Sequence, residues 1–289
     1  MRVVSGEGRL AVVVDGRVVD VERVSRGRFD ADPQAVYTRW EEFVAWAAEE
    51  PGLQPHEASG PALDETELAA PVPEPRQIFA IGLNYQDHAA EGGLDAPEAT
   101  PMVFTKFPTS VAGPYDEIPL PAGAVDYEAE LVAVIGKRAE RVSADHAWCH
   151  VAGLTIGQDL SERELQTGPP HPPQFSLAKS FPKFSPIGPA VVTLDEFEDP
   201  SDLEIGCRLN GEQLQKARTR EMIFSVPRII AYLSSVLPLL PGDLIFTGTP
   251  AGVGFTRTPK RLIAPGDELL TYVEGIGSMK HRFYAGPGR

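Results

Sequence analysis

Two cysteines in 289 residues, Cys149 and Cys207, are too few and too far apart to staple a fold. A disulfide framework is excluded, and a reduced intracellular setting is the expectation. Positive charge is also scarce, with 26 Lys and Arg against 41 Asp and Glu and a net charge of −15. That deficit argues against nucleic acid or an anionic membrane as partner, since both require a basic surface. It leaves room for a small anionic substrate wherever a bound cation and a few Lys or Arg reverse the local field. Long apolar runs are missing as well. No stretch approaches the ~20 residues of a membrane span, and the first residues, Met1 to Arg9, carry no apolar segment of the signal-peptide kind. The expectation is a soluble, cytoplasmic protein. Internal repeats, low-complexity tails and a regular strand–helix alternation are all absent, and the last absence disfavours Rossmann and barrel folds.

What is present is an ordinary globular composition, 42% apolar and 23% charged. Residues 1–70 read as a small N-terminal α/β module. Leu10–Val14 and Val18–Val21 flank Asp15-Gly16-Arg17, a hairpin signal. Pro33 to Glu50 carries Val36, Trp40, Phe43, Val44 and Ala47 near helical spacing, ended by Pro51-Gly52. The proline-rich stretch Ala70 to Arg76 reads as a stiff linker (71–76), with a strand from Gln77 opening a main domain over 77–289. Short apolar runs follow at Met102–Thr105, Leu131–Ile135, Val151–Ile156, Ala190–Thr193, Glu204–Leu209, Leu244–Thr247 and Glu268–Val273. One long helix is predicted from Thr219 to Leu237, with Pro227 inside it. The fold class is therefore α+β and β-rich, a roll or sandwich with peripheral helices.

The chemistry begins at Asp126-Tyr-Glu-Ala-Glu-Leu-Val-Ala-Val-Ile-Gly136. Strand alternation puts Glu128, Glu130, Val132 and Val134 on one side and Ala129, Leu131, Ala133 and Ile135 on the other. Both faces are apolar beyond Glu130, as in a strand covered on both sides. Two carboxylates on one face repel unless a proton or a cation intervenes; a solvated strand end is the alternative. Asp159 closes the apolar run Val151–Gln158 and supplies a third acid, or else a loop or capping aspartate. Ser161-Glu-Arg-Glu164 reads as a capping box opening a short helix. Three carboxylates suit Mg²⁺ or Mn²⁺, and zinc is disfavoured because no Cys/His cluster accompanies them.

His88 and Glu91 stand three apart, neighbours on a helical turn, with Gly92-Gly93 as a hinge after them. The pair makes a usable general base or an idle surface pair. Lys179, in a segment rich in prolines and aromatics, is either an oxyanion-stabilising lysine or a surface one. Thr247-Gly-Thr-Pro-Ala-Gly-Val-Gly254 offers backbone amides and a hydroxyl to a carboxylate, but it is no P-loop.

Taken in order, Gly82-Leu-Asn-Tyr…His88-Ala-Ala-Glu91, Asp126-Tyr-Glu-Ala-Glu-Leu, Gly157-Gln-Asp…Gln166, Ala178-Lys-Ser and Pro241-Gly-Asp…Gly254 resemble the fumarylacetoacetate hydrolase family, with Glu274-Gly-Ile-Gly277 matching at the end. The likeness spans about Gln77 to Phe283. It implies that family's mixed β-sandwich roll, usually as a homodimer. It implies Glu128, Glu130 and Asp159 as ligands of Mg²⁺ or Mn²⁺, and Arg163, Gln166, Lys179 and Thr249 as substrate contacts. His88 and Glu91 would ride on a mobile lid. The sequence departs from the family pattern in Gln166–Gln174 and at Pro182-Lys183, both flanking the expected pocket.

The implied activity is hydrolysis of a carbon–carbon bond in a 3-acylpyruvate-like diketo acid. His88, oriented by Glu91, would activate water, and Lys179 would help the cation stabilise the departing pyruvate enolate. Oxaloacetate decarboxylation and the isomerisation or hydration of 2-oxo-enoic diacids in aromatic breakdown use the same device. A non-catalytic binding protein is the reading from a different class.

Overall fold

The computed structural model describes residues 1–286 except 94, 96, 98, 170 and 171. The N-terminal part forms β1 (Arg2–Gly6), β2 (Arg9–Val14), β3 (Arg17–Asp20), α1 (Val21–Val24), α2 (Trp40–Glu49) and β4 (Leu68–Ala69). Next come β5 (Ile78–Gly82), α3 (Gln86–Glu91), β6 (Met102–Thr105), β7 (Val111–Ala112), β8 (Glu117–Leu120), β9 (Val125–Asp126) and β10 (Ala129–Ile135). The middle of the chain holds β11 (Val151–Gln158), β12 (Ser161–Glu162), α4 (Arg163–Thr167), α5 (Phe175–Ala178), β13 (Ser185–Val192), β14 (Glu204–Leu209) and β15 (Glu212–Arg218). It closes with α6 (Val226–Val236), β16 (Leu244–Phe246), β17 (Glu268–Val273) and β18 (Gly277–Ala285). Among the described residues no helix is long and apolar enough to cross a membrane.

The large sheet runs in the order β3-β2-β1-β13-β11-β10-β16-β5-β6, with β4 on β1 and β7 on β13. A second sheet runs β15-β14-β17-β18-β8. Both are mixed, since β16–β5 and β18–β8 are parallel while most other pairs are antiparallel. The fold is the β-rich α+β sandwich that the short apolar runs predict.

β10 shows why its sequence is apolar on both faces. Leu131, Ala133 and Ile135 join a core with Ile205, Leu209, Leu269 and Met279 of the second sheet. Val132 and Val134 join another core with Val12, Tyr37, Trp40 and Phe43 from the N-terminal part. The second sheet covers one face of the large sheet, and the N-terminal helices cover the other. The Asp15-Gly16 hairpin forms as expected, both residues at positive φ (48° and 72°). Through β1–β13 pairing it becomes part of the large sheet.

Three local expectations are corrected. The 70–76 segment is packed against the body of the protein: Ala70 and Val72 are buried and the Tyr37 hydroxyl donates to the Pro71 carbonyl at 3.0 Å. The predicted helix 219–237 is broken into a 3-10 turn, Thr219–Glu221, and α6. Pro227 lies in the first turn of α6, where its missing N–H removes no helical hydrogen bond, and Ser225 is the extended N-cap residue (ψ 159°) at which the helix starts. The capping box shifts by one residue. Ser161 lies in β12, and the Glu162 carboxylate caps α4 by accepting from Glu164 N (3.1 Å) and Leu165 N (3.0 Å).

Candidate active site

β10 starts just after Glu128 and β11 stops just before Asp159, and Ala129 pairs with Gln158 across the ladder. That register brings the two strand ends together. The Asp159 amide donates to the Glu128 carbonyl at 2.9 Å, and the Glu128 amide donates to Gln158 Oε1 at 2.9 Å. One carboxylate oxygen each from Glu128, Glu130 and Asp159 lies within 4.8 Å of the others, and all three side chains are buried.

Cations surround this group. Lys179 Nζ bridges Glu128 Oε2 (2.7 Å) and Asp159 Oδ2 (2.6 Å). Arg163 reaches Glu128 Oε1 at 2.7 Å through Nη1, and its Nε and Nη2 both donate to Asp126 Oδ2, at 2.9 and 2.7 Å. Lys106, with no exposed surface, donates to Asp159 Oδ1 and to the carbonyl of Lys179. The buried cluster thus sets four carboxylates, Asp126, Glu128, Glu130 and Asp159, against three cations, Lys106, Arg163 and Lys179.

The imbalance falls on Glu130. Burial, then Asp159 and Glu128, push its pKa well above the usual carboxylate range, against the Lys179 charge and one amide donor, Gly248 N at 2.8 Å. Burial acts in the same direction on Glu128, but Lys179, Arg163 and His88 outweigh it and hold that carboxyl below its ordinary value. Burial also favours neutral Lys179, and here Asp159 and Glu128 prevail, raising its pKa. A divalent cation fits this donor set: three hard oxygens stand close together around a buried negative charge that the resident cations leave uncompensated.

His88 and Glu91 lie on α3 as the spacing predicts, with His88 Nδ1 2.7 Å from Glu91 Oε1. Burial opposes ionisation of Glu91, yet the His88 and Gly252 hydrogen bonds win and keep its pKa low. A carboxylate at Nδ1 makes that nitrogen the N–H donor and leaves Nε2 with the basic lone pair. Glu91 Oε2 accepts from Gly252 N at 2.9 Å, so α3 is docked on the glycine-rich loop.

The amides of that loop do meet carboxylates: Gly248 N donates to Glu130, Gly252 N to Glu91 and Gly254 N to Asp126 (2.8 Å). The protein's own acids occupy the donors. Gly248 sits at φ 97°, and a Cβ there would meet Asn84 at 2.7 Å, so only glycine brings this amide to Glu130. The Thr249 hydroxyl is likewise engaged, donating to the Ala129 carbonyl (2.9 Å) and accepting from Gln215 Nε2 (2.8 Å).

A cleft of about 400 Å³ opens over the cluster. Glu128, Arg163, Gln166, Lys179 and Thr249 line its polar end, with His88 and Glu91 at the rim, while Glu130 and Asp159 lie beneath. Gln166 Oε1 accepts from Arg163 Nη1 at 2.8 Å. The rest of the wall is mostly apolar, with Met102, Phe104, Phe175, Val253 and Phe255 beside Thr167 and Thr256. Lys179 Nζ lies 5.2 Å from the Phe104 ring centroid. All nine candidate side chains therefore gather around or under one cleft. Of the unusual Gln166–Gln174 stretch, residues 170 and 171 lie outside the described residues.

Sequence reasoning passes over Lys106 and gives Asp126 no role. Asp126 pins Arg163 and, through Gly254 N and Phe255 N (3.0 Å), the loop that walls the cleft. The signal for Lys106 was a lysine inside the apolar run Val103-Phe-Thr-Lys-Phe-Pro108, where a surface lysine is the commoner reading.

Residues 77–284 match the family described as fumarylacetoacetate (FAA) hydrolase C-terminal. Over 221 residues the chain is 42% identical to a mitochondrial oxaloacetate tautomerase of Bos taurus, covering 75% of this chain and 70% of that protein. A solved structure from Mycobacterium smegmatis is 50% identical, with a TM-score of 0.90 over 99% of this chain and 100% of the other. Maleylpyruvate hydrolase from Sphingobium sp. SYK-6, in complex with manganese(II) and pyruvate, is 28% identical with a TM-score of 0.78 over 99% of this chain and 100% of its own.

Proposed function

The chain belongs to the fumarylacetoacetate hydrolase family, and from that premise we propose that it moves a proton at the carbon next to the keto group of a small 2-oxo acid, interconverting keto and enol forms of an oxaloacetate-like substrate. The observation that carries this is the His88–Glu91 pair at the rim of a cleft whose polar end is Glu128, Arg163 and Lys179. Similarity to oxaloacetate tautomerases supports the reaction class.

Glu128, Glu130 and Asp159 would hold Mg²⁺ or Mn²⁺, which supplies Lewis-acid polarisation of the 2-oxo acid end. The side chains perform the rest. His88 takes the proton from carbon 3 at Nε2 and returns it to oxygen or carbon. Glu91 fixes the tautomer and orientation of His88, and the Gly252 amide fixes Glu91. The ammonium of Lys179 answers negative charge growing on the keto oxygen, in a site dry enough for that charge to matter. Arg163 and Gln166 orient the substrate at the same end.

A second reading, hydrolytic cleavage of a 3-acylpyruvate, is favoured by the apolar wall. Among the described lining residues the cationic or basic side chains are His88 at the rim and Arg163 and Lys179 at the polar end. An uncharged acyl tail suits Met102, Phe104 and Phe255 better than a second carboxylate does. A homodimer belongs to the same proposal and is tested by light scattering.

One panel separates the readings. Enol–keto relaxation of oxaloacetate, pyruvate release from oxaloacetate and pyruvate release from acylpyruvates are followed with Mg²⁺ and with Mn²⁺. Accelerated relaxation without pyruvate supports tautomerisation, and pyruvate from acylpyruvates alone supports hydrolysis. No acceleration of any of them with either metal removes the enzymatic reading.

A further inference from the structure

Lys106 is the buried charge that the mechanism does not use. It is absent from the cleft wall and has no exposed surface, and its Nζ lies 5.8 Å from the centroid of the Phe246 ring. Burying an ammonium costs several kcal/mol unless it is fully paired, and an apolar side chain would fill the same space without that cost. What Lys106 does instead is hold two groups at once, Asp159 Oδ1 and the carbonyl of Lys179. The other oxygen of that carboxylate, Oδ2, is the one turned to Lys179 Nζ, which also touches Glu128. The two oxygens of Asp159 are therefore not equivalent: Oδ1 is held by the fully buried Lys106, and Oδ2 by the cleft-lining Lys179.

We propose that Lys106 selects the cation, by keeping Asp159 a one-oxygen ligand and so favouring small octahedral ions over calcium. Mg²⁺ and Mn²⁺ take six oxygens in near-regular geometry, whereas Ca²⁺ takes up to eight and gains them from carboxylates that chelate through both oxygens. With Oδ1 anchored by an ammonium that is itself anchored by the Lys179 carbonyl, Asp159 cannot swing both oxygens onto one ion. Lys106 does not line the cleft and acts through Asp159, so it is a positioning residue. The inference rests on the reading of Glu128, Glu130 and Asp159 as a metal site.

The test is binding, not turnover. Mn²⁺ bound to the full-length protein is followed by electron paramagnetic resonance and displaced with Mg²⁺ or Ca²⁺, for the wild type, Lys106→Met and Lys106→Gln. The wild type is expected to need roughly tenfold more Ca²⁺ than Mg²⁺ for the same displacement. Lys106→Met, close in size but without a donor, is expected to erase that preference. Lys106→Gln, which keeps an N–H for Oδ1, is expected to retain most of it. Equal displacement of wild-type Mn²⁺ by the two ions overturns the proposal, as does an unchanged preference in a folded Lys106→Met. A crystal structure of the Mn²⁺-loaded wild type gives a reading that needs no variant: Asp159 bound through both oxygens overturns it. No Mn²⁺ binding by the wild type removes the metal site itself, an outcome distinct from binding without selection.

Discussion

Glu130 shares a buried space with two other acids and receives one hydrogen bond, from Gly248 N, among the described residues. Because its pKa is raised in the folded chain, the cation-free protein holds a proton there that the unfolded chain releases. The resulting stability is fully present below the unfolded value of 4.5 and is lost as pH rises through the folded one. Two outcomes are expected from Glu130→Gln: with chelator at pH 8 its Tm exceeds the wild type by roughly 2–5 °C, and added Mg²⁺ no longer raises it. Thermal melts at pH 5 and pH 8, with and without metal, decide this, and a wild-type melt that ignores pH without metal counts against it. His88 gives the complementary case. His88→Ala should lower kcat by about 10²–10⁴-fold while Mn²⁺ affinity stays within about twofold, since His88 touches none of the three carboxylates directly. Glu91→Gln should cost less, about 10-fold in kcat, because the amide still offers an oxygen to the imidazole Nδ1–H and the base itself remains. Equal turnover in His88→Ala would remove the base from the mechanism.

Elements were legible where burial wrote a continuous apolar run or a clear apolar face, and they were lost where polar residues interrupted it. β10, β11, β14 and β17 are read from Leu131–Ile135, Val151–Ile156, Glu204–Leu209 and Glu268–Val273, because each packs into one or both cores. β15 is missed because Glu212-Gln-Leu-Gln-Lys-Ala-Arg218 is an edge strand, buried only at its middle. β18 is missed for a different reason. Met279, His281 and Phe283 alternate as buried residues, but a histidine in the middle disguises the apolar face. The site was legible in the same unequal way. Acids at strand ends stand out in sequence, whereas the lysine beneath them looks like any other lysine until the fold closes over it. His281 carries its own prediction. Burial lowers its pKa from 6.5 to about 4, its Nε2 pairing with the Gly113 carbonyl at 3.1 Å while Nδ1 has no partner among the described residues. Between those two values the unfolded chain binds a proton that the folded one refuses, so stability falls as pH drops from 6.5 toward 4. The loss should be roughly 3 kcal/mol in all, about 2 of it by pH 5. Urea midpoints at pH 7 and pH 5 should converge in His281→Gln, which can still donate to Gly113; a wild-type difference that survives the substitution would assign the slope elsewhere.

At the scale of the whole molecule, the large sheet is covered on both faces, and its two covers come from different parts of the chain. The second sheet, β15-β14-β17-β18-β8, arises from the region that matches the family. The other cover comes from the first 70 residues, whose Trp40 and Phe43 share a core with Val132, Val134, Val191, Leu244 and Phe246. The same segment completes the sheet, with Arg2 opposite Val192 and Val3 opposite Val191 in β13, and the terminal amine lies 2.6 Å from Thr193 Oγ1 and from Glu196. The strands that carry Glu130 and the glycine-rich loop, β10 and β16, are therefore held in place partly from behind by residues far from the chemistry. A chain starting at Gln77 would keep every candidate catalytic residue and still expose these five side chains. At about 1.5–3 kcal/mol for each large apolar side chain, the loss is roughly 10 kcal/mol, comparable with the 5–15 kcal/mol of net stability typical of a folded domain. The expected outcome is a shortened chain without a cooperative thermal transition, prone to aggregate along the bared β13 edge, and unable to bind Mn²⁺. A monodisperse 77–289 protein that melts sharply and binds Mn²⁺ as the full chain does would make the N-terminal part an independent module, and the rear support of the site would have to come from the large sheet alone.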